Sequence, residues 1–454
     1  MIRDQIASAL RASKADYTEI RLEERESNRV VFRGPDLETA DVVLDRGGIV
    51  RCLVRGGGWG IATFNDLSHL TTRVQQAYEG ARAIEAEPIE LAPIPVSEDE
   101  ITVSLENDFR GIGVTEKKAL AQDYNQALLT FDPRIVDTHT SYVDTFKHVV
   151  FANSEGTYVT EERPMINVAF SAVAREGRNV QRAFEAVSKV AGFDAVTGHH
   201  ELAETVAQRA VDLLSAPPVQ GGRYTVVCNP RMAGVFAHEA FGHLSEADFV
   251  YENSQAQEMM VLGRRFGRDI LTIADDGSIP GLRGTHRYDD EGTPTGRTNL
   301  IKDGVLVGRL HSRETAAKMG EDPTGNARAT GYRYPPIVRM TNTFIEAGET
   351  SFEEMISDID RGVYACDAFG GQTALENFSF SAAYGYMIRD GQVAELVRDV
   401  VLSGNLFVTL RHIDAVGEDF ERVEWGRCGK GQGGLAVTMG APHIRIQDVL
   451  IGGE

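Results

Sequence analysis

Apolar and polar residues change their period repeatedly along this chain, and the changes divide it into three units. Residues 3–14 follow a helical pattern, after which Tyr17-Thr18-Glu19-Ile20-Arg21-Leu22 alternates as a strand with one wet face does. Further strands are expected at 29–32, 41–44, 49–54 and 60–64, with turns at Gly47-Gly48 and Gly56-Gly57-Gly58. A helix over 67–84 closes this first unit, residues 1–85, and the Glu- and Pro-rich stretch 85–100 reads as a linker. The second unit, 105–214, combines helices at 116–129 and 202–214 with strands at 138–143, 148–152 and 166–173. Ala216-Pro217-Pro218 to Gly222 breaks the pattern again. The third unit, 222–454, opens with the apolar strand Tyr224-Thr225-Val226-Val227-Cys228, turns into a helix, and is β-rich thereafter, with hairpins at Lys302-Asp303-Gly304 and Arg389-Asp390-Gly391.

Strands cluster here and do not alternate regularly with helices. The expected class is therefore α+β, with mainly antiparallel sheets, flanking helices and a β-rich C-terminal half. Composition adds little to that and removes several functions. With 454 residues, 42% hydrophobic and 25% charged, the chain is ordinary globular material, and no apolar run approaches the roughly 18 residues of a membrane span. A net charge of -21 repels polyanions, and the one basic cluster, Arg264-Arg265-Phe266-Gly267-Arg268, reads as a solvated helix face; no nucleic-acid or membrane partner is expected. Four scattered cysteines without a C-x-x-C pair, and no signal-peptide hydrophobic region, suit a reducing cytoplasm. Asp289-Asp290-Glu291 reads as a solvated acidic loop, since the EF-hand spacing is absent.

The chemistry concentrates in His238-Glu239-Ala240-Phe241-Gly242-His243, where two imidazoles flank a carboxylate. Asn229 is a good N-cap and Pro230 suits the first helical position, so one helix carries both histidines two turns further on. Five residues, however, splay two side chains by about 140° on an ideal helix. A single metal reaches both only if the helix is distorted, for instance by a π-bulge, and Gly242 stands where a distortion is tolerated. Without it, the two are unrelated histidines on a partly buried helix. Catalytic zinc takes three protein ligands and keeps a position open for water. Candidates for the third are Glu246, Asp248, His286, His311, His412, His443 and the cysteines. Cys428 lies in Trp425-Gly426-Arg427-Cys428-Gly429-Lys430-Gly431-Gln432-Gly433-Gly434, where glycines allow close backbone approach and Arg427 and Lys430 favour a thiolate. Chemistry alone prefers it to Glu246 only modestly.

Five segments in order, H-E-A-F-G-H at 238–243, R-M-T-N-T at 339–343, G-G-Q at 370–372, F-S-F-S-A-A at 378–383 and G-R-C-G-K-G-Q at 426–432, resemble the TldD/PmbA family, and more closely its metal-bearing TldD-like branch. The resemblance covers the third unit throughout, and the first two units have a compatible layout. It implies a zinc metallopeptidase acting on short or unfolded peptides, built as a homodimer or as a heterodimer with a related chain. Residue by residue it implies His238, His243 and Cys428 as Zn2+ ligands and Glu239 as the general base for a metal-activated water. Two rivals have their own signatures. A structural zinc site would add a fourth protein ligand and give Glu239 no role, and an inactive regulatory subunit acting through dimerisation would bind no metal.

Overall fold

The structure is a computed structural model that describes residues 2–85, 87–423 and 425–452. Stretches that look separate in the sequence fuse into long strands: Tyr17–Arg33, Asp36–Leu53 and Ile135–Asn153 are each continuous. Gly47 and Gly48 therefore lie inside a strand and form no turn. A Cβ at Gly47 would stand 2.3 Å from the Tyr332 ring, so the glycine serves a close approach. The alternation at 17–22 is present, but the wet face it suggests is not: Glu19, Arg21 and Glu23 are buried as fully as Ile20 and Leu22.

These strands build a seven-stranded sheet in the order Trp59–Phe64, Asp36–Leu53, Tyr17–Arg33, Ile135–Asn153, Tyr158–Glu176, Glu98–Ile101, with Asn179–Lys189 also pairing Tyr158–Glu176. All pairings are antiparallel except that of Glu98–Ile101, the one strand in the stretch read as a linker. The sheet draws strands from both of the first two units. Helices Leu70–Arg82, Val114–Thr130 and His200–Ser215 pack against it.

In the C-terminal half, Arg361–Ala374, Gly222–Cys228, Ile444–Gly452, Val401–Asn405 and Asn377–Arg389 pair in succession. The last pairs with the first, so these five strands close into a barrel. A six-stranded sheet lies beside it, and the helix Pro230–Ala237 is held between the two, touching Arg361–Ala374 on one side and Thr438–Ala441 on the other. The two anticipated hairpins are present, with Asp303, Gly304, Asp390 and Gly391 all at positive φ, as a two-residue turn requires. The class is α+β with mainly antiparallel sheet. No helix among the described residues is long and apolar enough to cross a membrane. Arg264 and Arg265 are exposed, but in a loop and not on a helix.

Asp289, Asp290 and Glu291 correct the sequence reading more sharply, because they are buried. Asp290 pairs with Arg21 at 3.2 Å and Arg163 at 3.1 Å. Glu291 takes Arg51 at 2.9 Å and the backbone N–H of Arg313 at 3.0 Å. Asp289 accepts the N–H groups of Glu291, Thr293 and Ala327. The triplet thus joins the seven-stranded sheet to the C-terminal half through charges shut away from water. Asp290→Asn should destabilise the protein by up to about 3–5 kcal/mol, because it takes from Arg21 and Arg163 a shared buried carboxylate and leaves each with one carboxylate partner, Glu23 and Glu161. Urea unfolding followed by tryptophan fluorescence checks this, and unchanged stability would show the pairing to be energetically idle.

Candidate metal centre

Asn229 caps the helix as its sequence suggests, its Oδ1 accepting the N–H of Met232 at 2.8 Å with Pro230 in the first position. The same oxygen accepts the N–H of Asp367 at 3.0 Å, which pins the helix start to a barrel strand. Every residue from Met232 to Ala237 is buried, because the helix is covered on both sides. At His238 the ladder changes: His238–Gly242 is π-helical, and the His243 N–H donates to the His238 carbonyl. Five residues then span one turn, and the 140° splay disappears. The two imidazole centroids lie 5.2 Å apart at an interplanar angle of 78°. Gly242 has ordinary helical angles, φ -56° and ψ -52°. What requires glycine there is space, since a Cβ would stand 2.0 Å from Met340 Sδ.

Cys428 arrives from the small hairpin Arg427–Gly429 and Gly434–Ala436. Arg339, wholly buried, donates to the carbonyls of Cys428, Lys430 and Gly433 and so shapes the loop around the thiol. Arg328 holds the far strand through the carbonyl of Ala436 at 3.0 Å. The cations expected to favour a thiolate are engaged elsewhere: Lys430 with Asp248 and Glu246, Arg427 with the carbonyl of Gly434. The group facing the sulfur is His243, with Nε2 3.7 Å from Sγ.

One ligand atom each from His238, His243 and Cys428 fall within 4.8 Å of one another, the one such group of three among the described residues. The other candidates are not among these converging donors, though Glu246 touches one of them. Glu246 accepts from His243 Nδ1 at 3.0 Å, and Asp248 pairs with Lys430. His286 meets Arg328, His311 lies between Thr315 and Glu321, His412 meets the carbonyl of Gln447, and His443 bridges Asp419 and Tyr364. Arg339 was not anticipated. Its sign in the sequence is a charged residue opening an otherwise uncharged segment, Arg339-Met340-Thr341-Asn342-Thr343, whose two threonine hydroxyls both donate to buried Asp275.

Burial, reinforced by His243, Arg339 and Arg328, holds the His238 imidazole well below its usual pKa, hence neutral. Burial opposes protonation of His243 too, but its bonds to Cys428 and Glu246 outweigh that and raise it to about 10. Glu239 is the most open group of the set, its side chain 26% exposed with Oε2 4.0 Å from His243 Nε2, and burial raises its carboxyl pKa. Both ring nitrogens of His238 are buried without a partner. An unsatisfied buried imidazole beside a second imidazole and a thiol is costly unless something binds there. Two nitrogens and one sulfur are a donor set suited to zinc and similar transition metals, so the residues fit a metal ion.

One buried imidazole, one half-buried imidazole and a buried thiol, with a carboxylate beside them, form a donor set of the kind metal-dependent enzymes use. Comparison with known proteins agrees. Residues 18–84, 107–214 and 221–453 match, in turn, domain 1, the central domain and the C-terminal domain of the PmbA/TldA metallopeptidases. The chain is 47% identical to a metalloprotease of Synechocystis sp. over 97% of this chain and 96% of that protein. It is 31% identical to a zinc metalloprotease TldD homolog of Saccharolobus solfataricus, over 71% and 73%. The solved structure of TldE from Thermococcus kodakarensis has the same fold, with a TM-score of 0.78 at 18% identity over 100% of both chains. A putative modulator of a DNA gyrase from Thermotoga maritima gives 0.80 at 22% over 99% of both. The chain belongs to the PmbA/TldD metallopeptidase family.

Proposed function

We propose that this metallopeptidase is a zinc enzyme that hydrolyses short or unfolded peptides, with His238, His243 and Cys428 as the metal ligands and Glu239 as the general base. The observation that carries the reading is the convergence of the three donor atoms beside Glu239, whose carboxylate lies outside the group with Oε2 4.0 Å from His243 Nε2. Bound zinc supplies Lewis acidity to water and to the scissile carbonyl. Glu239 Oε2 accepts a proton from the attacking water and delivers it to the leaving amine nitrogen. Its raised pKa suits both halves of that task, since a stronger base takes the proton more readily and still returns it. Arg339 and Arg328 keep the cysteine hairpin in place throughout.

The preference for extended peptides is supported by an open strand edge. Arg361–Ala374 pairs with Gly222–Cys228 only up to Ala365, and residues 370–374 run on beyond Cys228, where the histidine-bearing helix begins, paired on one side only, with 377–381. A peptide added as a strand is held by main-chain hydrogen bonds with little demand on its side chains. A folded substrate must first open locally, which costs up to its global stability, about 5–15 kcal/mol. The test places one segment in a free peptide and in a stable host domain at equal concentration, with a chelator-treated control. Rapid cleavage of the free peptide alone, abolished by chelator, is the expected result. Equal rates would sink the extended-peptide preference, and chelator-resistant cleavage would sink the metal chemistry.

A further inference from the structure

We infer that Glu246, bridged to Lys430, is a positioning residue for the metal centre: it holds His243 with Nδ1 as donor and Nε2 turned toward Cys428, and it ties the cysteine hairpin to the helix. The inference rests on the reading of His238, His243 and Cys428 as metal ligands.

Glu246 follows the single 3-10 turn His243–Ser245 and is buried. Three residues is the separation that sets one side chain over another at such a turn, and Oε2 reaches His243 Nδ1 at 3.0 Å. The same oxygen receives the Lys430 ammonium at 3.1 Å. A carboxylate oxygen flanked by an ammonium accepts and does not donate, so the proton of the ring sits on Nδ1. In the neutral ring that a metal would bind, the lone pair is then on Nε2, the nitrogen 3.7 Å from Cys428 Sγ and 4.0 Å from Glu239. A carboxylate behind a ligating imidazole fixes both the tautomer and the ring orientation.

Lys430 extends the device to the third ligand. It stands two residues beyond Cys428 and contacts both oxygens of Asp248 at 2.7 and 2.8 Å, the Val338 carbonyl at 2.9 Å, and Glu246. One ammonium thereby joins the turn after His243, the short helix Ala247–Glu252 and the hairpin that presents the sulfur. The backbone around Glu246 is anchored independently, by bonds between Leu310 N–H and the Ser245 carbonyl and between Ala247 N–H and the Leu310 carbonyl. A change of side chain at 246 therefore leaves the chain path supported.

Two conservative variants, one isosteric and one isoelectric, separate this role from a simple need for buried charge. Glu246→Gln keeps the reach and an acceptor oxygen, whereas Glu246→Asp keeps the charge and falls short of Nδ1. Each is loaded with Co2+ alone, alongside wild type, His243→Ala and Cys428→Ala. Affinity is read by chelator competition, and sulfur ligation by the thiolate-to-cobalt absorption band. Glu246→Asp should bind about 10–100-fold more weakly than wild type with an altered band, and Glu246→Gln should lose less. Wild-type affinity and spectrum in Glu246→Asp, or a greater loss in Glu246→Gln than in Glu246→Asp, would overturn the inference. Undiminished binding in His243→Ala and Cys428→Ala would instead overturn the ligand assignment beneath it.

Discussion

Glu239→Gln is expected to retain the metal while slowing peptide cleavage by about 10²–10⁴-fold, the usual cost of losing a general base. Glutamine has nearly the same shape, so the helix and the Met340 contact at Gly242 are undisturbed. It cannot accept a proton, and that alone distinguishes the variant. The geometry leaves Glu239 free for this work: it lies outside the converging group, and its side chain is more open than those of His238 and Cys428. Metal content and initial rate on an unstructured peptide decide the matter together. Wild-type turnover would remove Glu239 from the mechanism, and loss of metal with activity would move it among the ligands.

Cys428→Ala is expected to empty the centre, while Cys52→Ala, Cys228→Ala and Cys366→Ala keep their metal. All four cysteines are buried, so exposure does not tell them apart. Burial raises the pKa of the other three thiols, pushing Cys228 up to about 12. They are protonated packing residues. Cys428 alone faces an imidazole. Its removal leaves two nitrogens and no anionic donor, so the loss of affinity should exceed the roughly 10–100-fold typical of a residue that only supports a ligand. Elemental analysis of the four variants after dialysis against a weak chelator gives the answer, and full metal in Cys428→Ala would return the third position to a carboxylate.

The helix that bears the histidines was readable almost completely, because its signals are local. Asn229 and Pro230 mark the start, and the five-residue spacing allows a shared ligand only on a distorted helix, of which the π turn found here is one form. The second half of the site was not local. Nothing near Cys428 in the sequence reports that Arg339 grips its carbonyl, or that Lys430 is spent on Asp248 and Glu246 and not on the thiol. The fold shows the same division. Hairpins set by Asp-Gly pairs were legible, whereas Gly47-Gly48 was mistaken for a turn because the ring that needs the space belongs to Tyr332. Asp289, Asp290 and Glu291 were assigned to water for a related reason: their partners Arg21, Arg51 and Arg163 lie far away in the chain.

The closed barrel also sets the order in which the enzyme can come together. Gly222–Cys228, the strand that launches the histidine-bearing helix, has Ile444–Gly452 as one neighbour and Arg361–Ala374 as the other. Neither exists while a growing chain has passed only the histidines. Contacts between segments so distant are slow to form, since a long loop must be closed before the pairing rewards it. The histidines, Glu239 and the cysteine hairpin therefore gain their fixed geometry only after Ile444–Gly452 has been synthesised and inserted. Until then the nascent chain carries His238, Glu239 and His243 without the frame that aligns them with Cys428.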